Sequence, residues 1–161
     1  MADRHSAADT PLNAQIGQRQ WGGVYFEVSD RSGGVPGLEI HDRAYMRSRV
    51  REEMARARRY NRPFGVVTFE AIPVSDGIPI RKKIEYALRI IEEKVRPSDV
   101  VARVFDDMVA VLFVETDALG AKDALMRLRN QLLGSGHWQI IIYLFPDDEA
   151  AMDAMPLLHA A

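Results

Sequence analysis

The chain is 161 residues long, 47% hydrophobic and 27% charged, which fits one compact domain with an appended segment. Its 21 Lys and Arg against 23 Asp and Glu leave a formal net charge of −2, so no overall field draws nucleic acid or an acidic membrane. The absence of cysteine excludes disulfides, thiolate metal ligands and thiol catalysis. With no apolar run of bilayer length and no apolar core in Met1–Thr10, the expectation is a soluble cytoplasmic protein without membrane insertion.

Residues 1–40 hold six glycines and two prolines and few aliphatic residues, a composition that buries too little surface to offset its ordering entropy. They are expected to form a flexible arm. The exception is Trp21 to Ser29, where Val24, Phe26 and Val28 alternate with Tyr25 and Glu27 as in a short strand.

Regular patterns begin at His41 and define a domain over 41–146. Met46, Val50, Met54 and Ala57 recur at helical spacing in a run that Pro63 stops. Phe64 to Glu70 reads as a strand. Ile80, Ile84, Ala87, Ile91 and Val95 form a second helical stripe, with Arg81, Lys82, Glu85 and Arg89 on the wet side. Val100 to Phe105 and Met108 to Val114 are strand-like runs separated only by Asp106-Asp107, which is a hairpin signal. Thr116 or Asp117 can cap a third helix with the stripe Ala121, Leu125, Leu128, Leu132, and Gly134 ends it. Trp138 to Phe145 is a further strand. Residues 147–161 are an acidic tail or one short helix.

The order α-β-α-β-β-α-β with a single tight hairpin predicts an α+β fold, a mainly antiparallel sheet with helices on one face. Ile84, Ile91, Val111, Leu128 and Ile141 are expected in its core. His5, His41, His137 and His159 are scattered, so no histidine-built metal site is expected. No Gly-rich phosphate loop or nucleophile elbow is visible, and no cofactor is predicted. The first helix carries Arg43, Arg47, Arg49, Arg51, Arg56, Arg58 and Arg59. Their stems can flank an apolar stripe with the heads in water, or the face can dock an acidic partner or a nucleic acid.

Residues 55–70 (ARARRYNRPFGVVTFE) and 95–117 (VRPSDVVARVFDDMVAVLFVETD) together resemble the GGDEF domain of bacterial diguanylate cyclases, which condense two GTP into cyclic di-GMP. The resemblance covers about residues 38–145 and implies a ferredoxin-like palm fold. It also implies that this copy is inactive. The signature positions are Phe105, Asp106, Asp107, Met108 and Val109. The family's two glycines are here Phe105 and Asp106, and of its two acids only Asp107 remains. Met108 offers a soft thioether where magnesium needs hard oxygen. Glu70 stands where the family has an Asp metal ligand, and the loop Ala71 to Pro79 is too short for the family's guanine-binding residues.

Arg96-Pro97-Ser98-Asp99 matches the family's inhibitory Arg-x-x-Asp site for cyclic di-GMP, with Val100 to Val104 as the five residues before the signature. A guanidinium fork can donate to guanine or phosphate, and a carboxylate can accept from guanine N–H groups. Relatives add a second Arg, which Arg127 matches, with Arg129 as the alternative. The plainer reading is that Asp99 begins a strand and Arg96 complements a helix C-terminus. The resemblance thus points to a non-catalytic cyclic di-GMP receptor acting in signal transduction with a protein partner or a self-dimer, and not with nucleic acid. The alternative is an interaction module that keeps the fold and binds no nucleotide.

Overall fold

The computed structural model describes residues 40–159 in full and, before them, the backbone of two strands, β1 (Gln18–Trp21) and β2 (Val24–Glu27). These pair antiparallel as a separate two-stranded sheet. The flexible character expected for the rest of residues 1–40 lies outside the described residues.

The domain follows as β3 (Ile40–Asp42), α1 (Arg43–Tyr60), β4 (Phe64–Ala71), α2 (Ile80–Lys94), β5 (Val100–Phe105), β6 (Met108–Phe113), α3 (Ala118–Leu132), β7 (Trp138–Phe145) and α4 (Glu149–Asp153). The five-stranded sheet has the order β3-β5-β6-β4-β7. Only the β3–β5 pair is parallel. β4 is nearly continuous in apolar residues because it is central and covered on both faces. The Asp106-Asp107 pair joins β5 to β6 as the spacing predicts, with an irregularity between Arg103 and Phe105.

The caps are local and legible. Asp42 accepts from the Tyr45 amide at 2.9 Å to start α1, and Asn61 in the left-handed region ends it before Pro63. Asp117 accepts from the Gly120 amide at 2.7 Å to start α3. Gly65 lets α3 approach the sheet, since a Cβ there would lie 3.1 Å from that of Ala121.

Helices cover both faces of the sheet, which corrects the expectation of one. Ile84, Ala87 and Ile91 of α2 and Ala121, Leu128 and Leu132 of α3 pack on Val67, Phe69, Val109 and Val111. Met46, Val50 and Met54 of α1, with Met152, Met155, Leu157 and Leu158, pack on Phe64, Val66, Leu112 and Phe145. The C-terminal segment is thus part of the second core. Arginines of α1 fasten it there: Arg51 donates to the Leu158 carbonyl at 2.9 Å, and Arg58 pairs with Glu149 at 2.5 Å and Asp153 at 3.7 Å. Glu53, buried on α1, pairs with Arg56 at 2.8 Å and Arg49 at 3.5 Å. Part of the basic helix face therefore meets acids of its own chain.

Of the five expected core residues, Ile84, Ile91, Val111 and Leu128 are buried, but Ile141 is 38% exposed. Ile141 lies on the face that α1 and the C-terminal segment cover, opposite Thr68, yet neither reaches it. Ile84→Ala or Leu128→Ala should each cost ~2–5 kcal/mol. Ile141→Ala should cost about 1 kcal/mol or less. Urea unfolding of the three variants checks this ranking; equal losses would mean that Ile141 is covered.

Candidate ligand site at the α2–β5 junction

α2 runs out at Lys94, and the next residues turn tightly into β5. The Asp99 amide donates to the Arg96 carbonyl at 3.0 Å, while Asp99 Oδ2 accepts from the Arg96 amide at 2.9 Å. Such reciprocal Asx-type bonding lets a short polar side chain stand in for backbone partners. The guanidinium folds onto the same carboxylate, Nη2 to Oδ1 at 3.1 Å and Nε to Oδ2 at 3.4 Å. It also reaches the Val114 carbonyl at 3.0 Å and Thr116 Oγ1 at 2.5 Å, in the link between β6 and α3.

The pair is asymmetric in exposure. The Asp99 side chain is 2% exposed and that of Arg96 is 55% exposed. Asp99 is an anchor and Arg96 is the group presented to solvent, with charge-assisted bonds fixing its aim. Beside it, Glu115 adopts a left-handed φ of 47° and pairs with Arg62, and the Thr116 amide donates to the Pro63 carbonyl at 3.0 Å.

Arg127 is exposed on α3, and no hydrogen bond or ion pair joins it to Arg96 or Asp99 among the described residues. It stands nine residues beyond Ala118, ~14 Å along the helix from the end that Arg96 touches. Arg129 lies on the same helix and is also exposed. Arg96 and Asp99 form one cluster, and Arg127 is a separate cation.

At the other end of β5 and β6, the hairpin carries Phe105, Asp106, Asp107, Met108 and Val109. Glu70 of β4 lies directly opposite Met108 of β6 in the register, and Gln139 flanks it on β7. Asp107 sits in the turn, where its carbonyl accepts from the Ala71 amide at 2.8 Å. No hydrogen bond or ion pair joins Glu70 to Asp107 among the described residues. Phe105 and Met108 pack at the rim of the second core, with the Arg43 guanidinium 5.0 Å from the centre of the Phe105 ring. Arg103 donates to the Asp106 carbonyl at 3.1 Å and Val109 is fully buried in the first core. Among the described residues no three His, Asp or Glu side chains converge as a metal site.

Sequence reading missed the partners of Arg96, because Val114 and Thr116 lie far along the chain from it. It also missed Lys83, which is fully buried with Nζ 2.8 Å from Asp76 Oδ2. The signal was present: Lys83 falls on the α2 stripe, three after Ile80 and four before Ala87. Gly136, at φ 141°, leaves the room for it; a Cβ there would come within 3.4 Å of the lysine stem and Nζ.

No protein-family model matches the chain, and no curated protein matches it by sequence. Solved structures match it by fold. They include a DGC protein from Thermotoga maritima (TM-score 0.62, 21% identity, 78% of this chain and 100% of that one). A sensory box/GGDEF family protein from Caulobacter crescentus matches at TM-score 0.55 and 16% identity, over 76% of this chain and 92% of that one. The FimX GGDEF domain from Pseudomonas aeruginosa matches at TM-score 0.54 and 17% identity, over 71% and 79%. The chain has the fold of a GGDEF-like domain.

The contact with Lys83, followed by the Ile78 amide, holds the Asp76 carboxyl below its ordinary pKa. A lowered folded pKa stabilises the fold above the unfolded value of ~4, and that gain is lost as pH falls through the folded value. Asp76→Asn should be less stable than the parent at neutral pH, with the difference in thermal midpoint closing below ~pH 4. A difference that persists unchanged in acid would place its cause elsewhere.

Proposed function

We propose that the chain is a catalytically inactive signalling domain of GGDEF fold that binds cyclic di-GMP through Arg96, with Asp99 as its positioning residue and Arg127 as a second cation. The observation that carries this reading is the asymmetric pair: a buried carboxylate aiming an arginine that remains more than half exposed. Because both Asp99 oxygens are already engaged, the ligand contact falls to the free part of the guanidinium and to its flat face, which can stack on a base. The distance from Arg96's end of α3 to Arg127 favours an extended ligand with two bases over a mononucleotide.

Inactivity rests on the hairpin. Where metal-assisted nucleotidyl transfer needs clustered carboxylates, Glu70 faces a thioether, and Phe105 and Asp106 carry side chains at the positions of the family's glycines. A second reading has its own support. Arg96 and Asp99 bond within the chain so fully that the cluster also stands as a clasp between the α2–β5 turn and the β6–α3 link, in an interaction module that binds no nucleotide.

Calorimetric titration with cyclic di-GMP, GMP and GTP separates the two. Cyclic di-GMP should bind, and Arg96→Ala should weaken it about ten- to a hundredfold, matching the ~1–3 kcal/mol of a good arginine–guanine contact. Asp99→Asn should also bind less well, through loss of aim, while Glu70→Ala should leave affinity unchanged. No binding at high micromolar ligand, or binding indifferent to Arg96, favours the interaction module. With GTP and magnesium or manganese the protein should form no cyclic di-GMP. Turnover abolished by Glu70→Ala or Asp107→Ala would overturn the inactive reading.

A further inference from the structure

We infer that the outer edge of β7 is a self-association interface, on which a second copy of this chain adds its own β7 antiparallel about a two-fold at Ile140. This inference does not rest on the nucleotide reading. β7 is eight residues long and pairs only with β4 among the described residues. The direction of its backbone groups follows from two contacts. His137 accepts from the Ile72 amide, so odd-numbered residues face β4. Leu144 donates to Asp148 Oδ2 at 2.9 Å and accepts from the Asp148 amide at 2.6 Å, so even-numbered residues face outward. Asp148 closes the ladder at Leu144. Among the described residues, the outward N–H and C=O groups of Trp138, Ile140 and Ile142 have no strand partner.

Edge strands are ordinarily blunted by charge, proline, a bulge or short length. The opposite edge, β3, has three residues among those described. β7 has none of these devices: Gln139 to Leu144 is uncharged and free of proline, and its pairing with β4 runs without a bulge. The same three residues whose backbone faces outward have half-buried side chains at the rim of the first core. Ile141 adds an exposed apolar side chain on the other face.

A second copy fits this edge through its own register. Centring two antiparallel β7 strands on Ile140 sets Ile140 against itself and Trp138 against Ile142. Every free outward residue is then used, and the pairing stops short of the Asp148-capped Leu144. With no charge on the strand, the two-fold brings no like charges together.

Sedimentation velocity on the nucleotide-free full chain, over a wide concentration range, should show a reversible dimer. Ile140→Pro should be monomeric with an unchanged far-ultraviolet spectrum, since it removes an outward N–H that β4 does not use. The chain lacks cysteine, so Ile140→Cys gives an independent reading. Hydrogen-bonded antiparallel partners have Cα atoms ~5.5 Å apart, within disulfide range, and mild oxidation should trap a covalent dimer. Leu119→Cys, on the exposed face of α3, should not do so. A monomer at all concentrations overturns the inference, as does a dimer unaffected by a folded Ile140→Pro. If Ile140→Pro fails to fold, absence of the Ile140→Cys cross-link overturns it. A monomer whose Ile140 and Ile142 amides resist hydrogen exchange assigns the edge to the chain's own β1–β2 hairpin, and also overturns it.

Discussion

The double-sided pairing of β4 is the constraint on which the rest of the structure depends. Its eight residues pair with β6 on one side and β7 on the other, and both apolar cores meet on its two faces. A strand register is all or nothing: a slip of one residue would exchange Val67 and Phe69 with Val66 and Thr68 between the cores. The same register sets Glu70 beside Met108 and leaves β7 at the edge. The residues that flank Glu70 and the position of β7 both follow from how this one strand is placed.

The Arg96–Asp99 pair is first of all a structural turn between α2 and β5. Asp99 first satisfies backbone at a helix exit, and in doing so it gathers the guanidinium against the β6–α3 link. Under the proposed reading, a carboxylate so occupied leaves the ligand contact to Arg96 and has already removed much of the rotamer freedom that the guanidinium would lose on binding. That ordering costs Arg96 side-chain entropy, which its bonds to Asp99, Val114 and Thr116 offset.

Most of the fold was legible because its signals are local. The α2 stripe, the two-residue hairpin gap and the Asp117 cap each depend on residues close in sequence. The coverage of the second face was not. Met152, Met155, Leu157 and Leu158 lie in a short stretch beside Asp147, Asp148 and Glu149, so composition alone reads as an acidic tail. What docks it is long-range packing of those four apolar residues on the second core, with arginines of α1 at its edge, and no periodicity reports either. Ile141 failed for the mirror reason: its pattern is that of a core strand, but coverage stops short of it. At the candidate site the spacing of Arg96 and Asp99 was legible, while the burial of one and exposure of the other depended on Val114 and Thr116. Lys83 was hidden because a lysine on an apolar stripe is ordinarily read as solvated unless its partner, here Asp76 in the preceding loop, is known.

On the proposed reading, a nucleotide ligand meets the domain at Arg96 and not at the hairpin. Titrating isotopically labelled protein with cyclic di-GMP, with GMP as the comparison, while following backbone amide and arginine Nε–H resonances tests this most directly. Arg96, Thr116 and Arg127 should move in one saturating process with cyclic di-GMP, while Glu70, Asp107 and Met108 stay in place. Shifts centred on Glu70 and Met108, or no shift at Arg96 at saturating ligand, would contradict that reading.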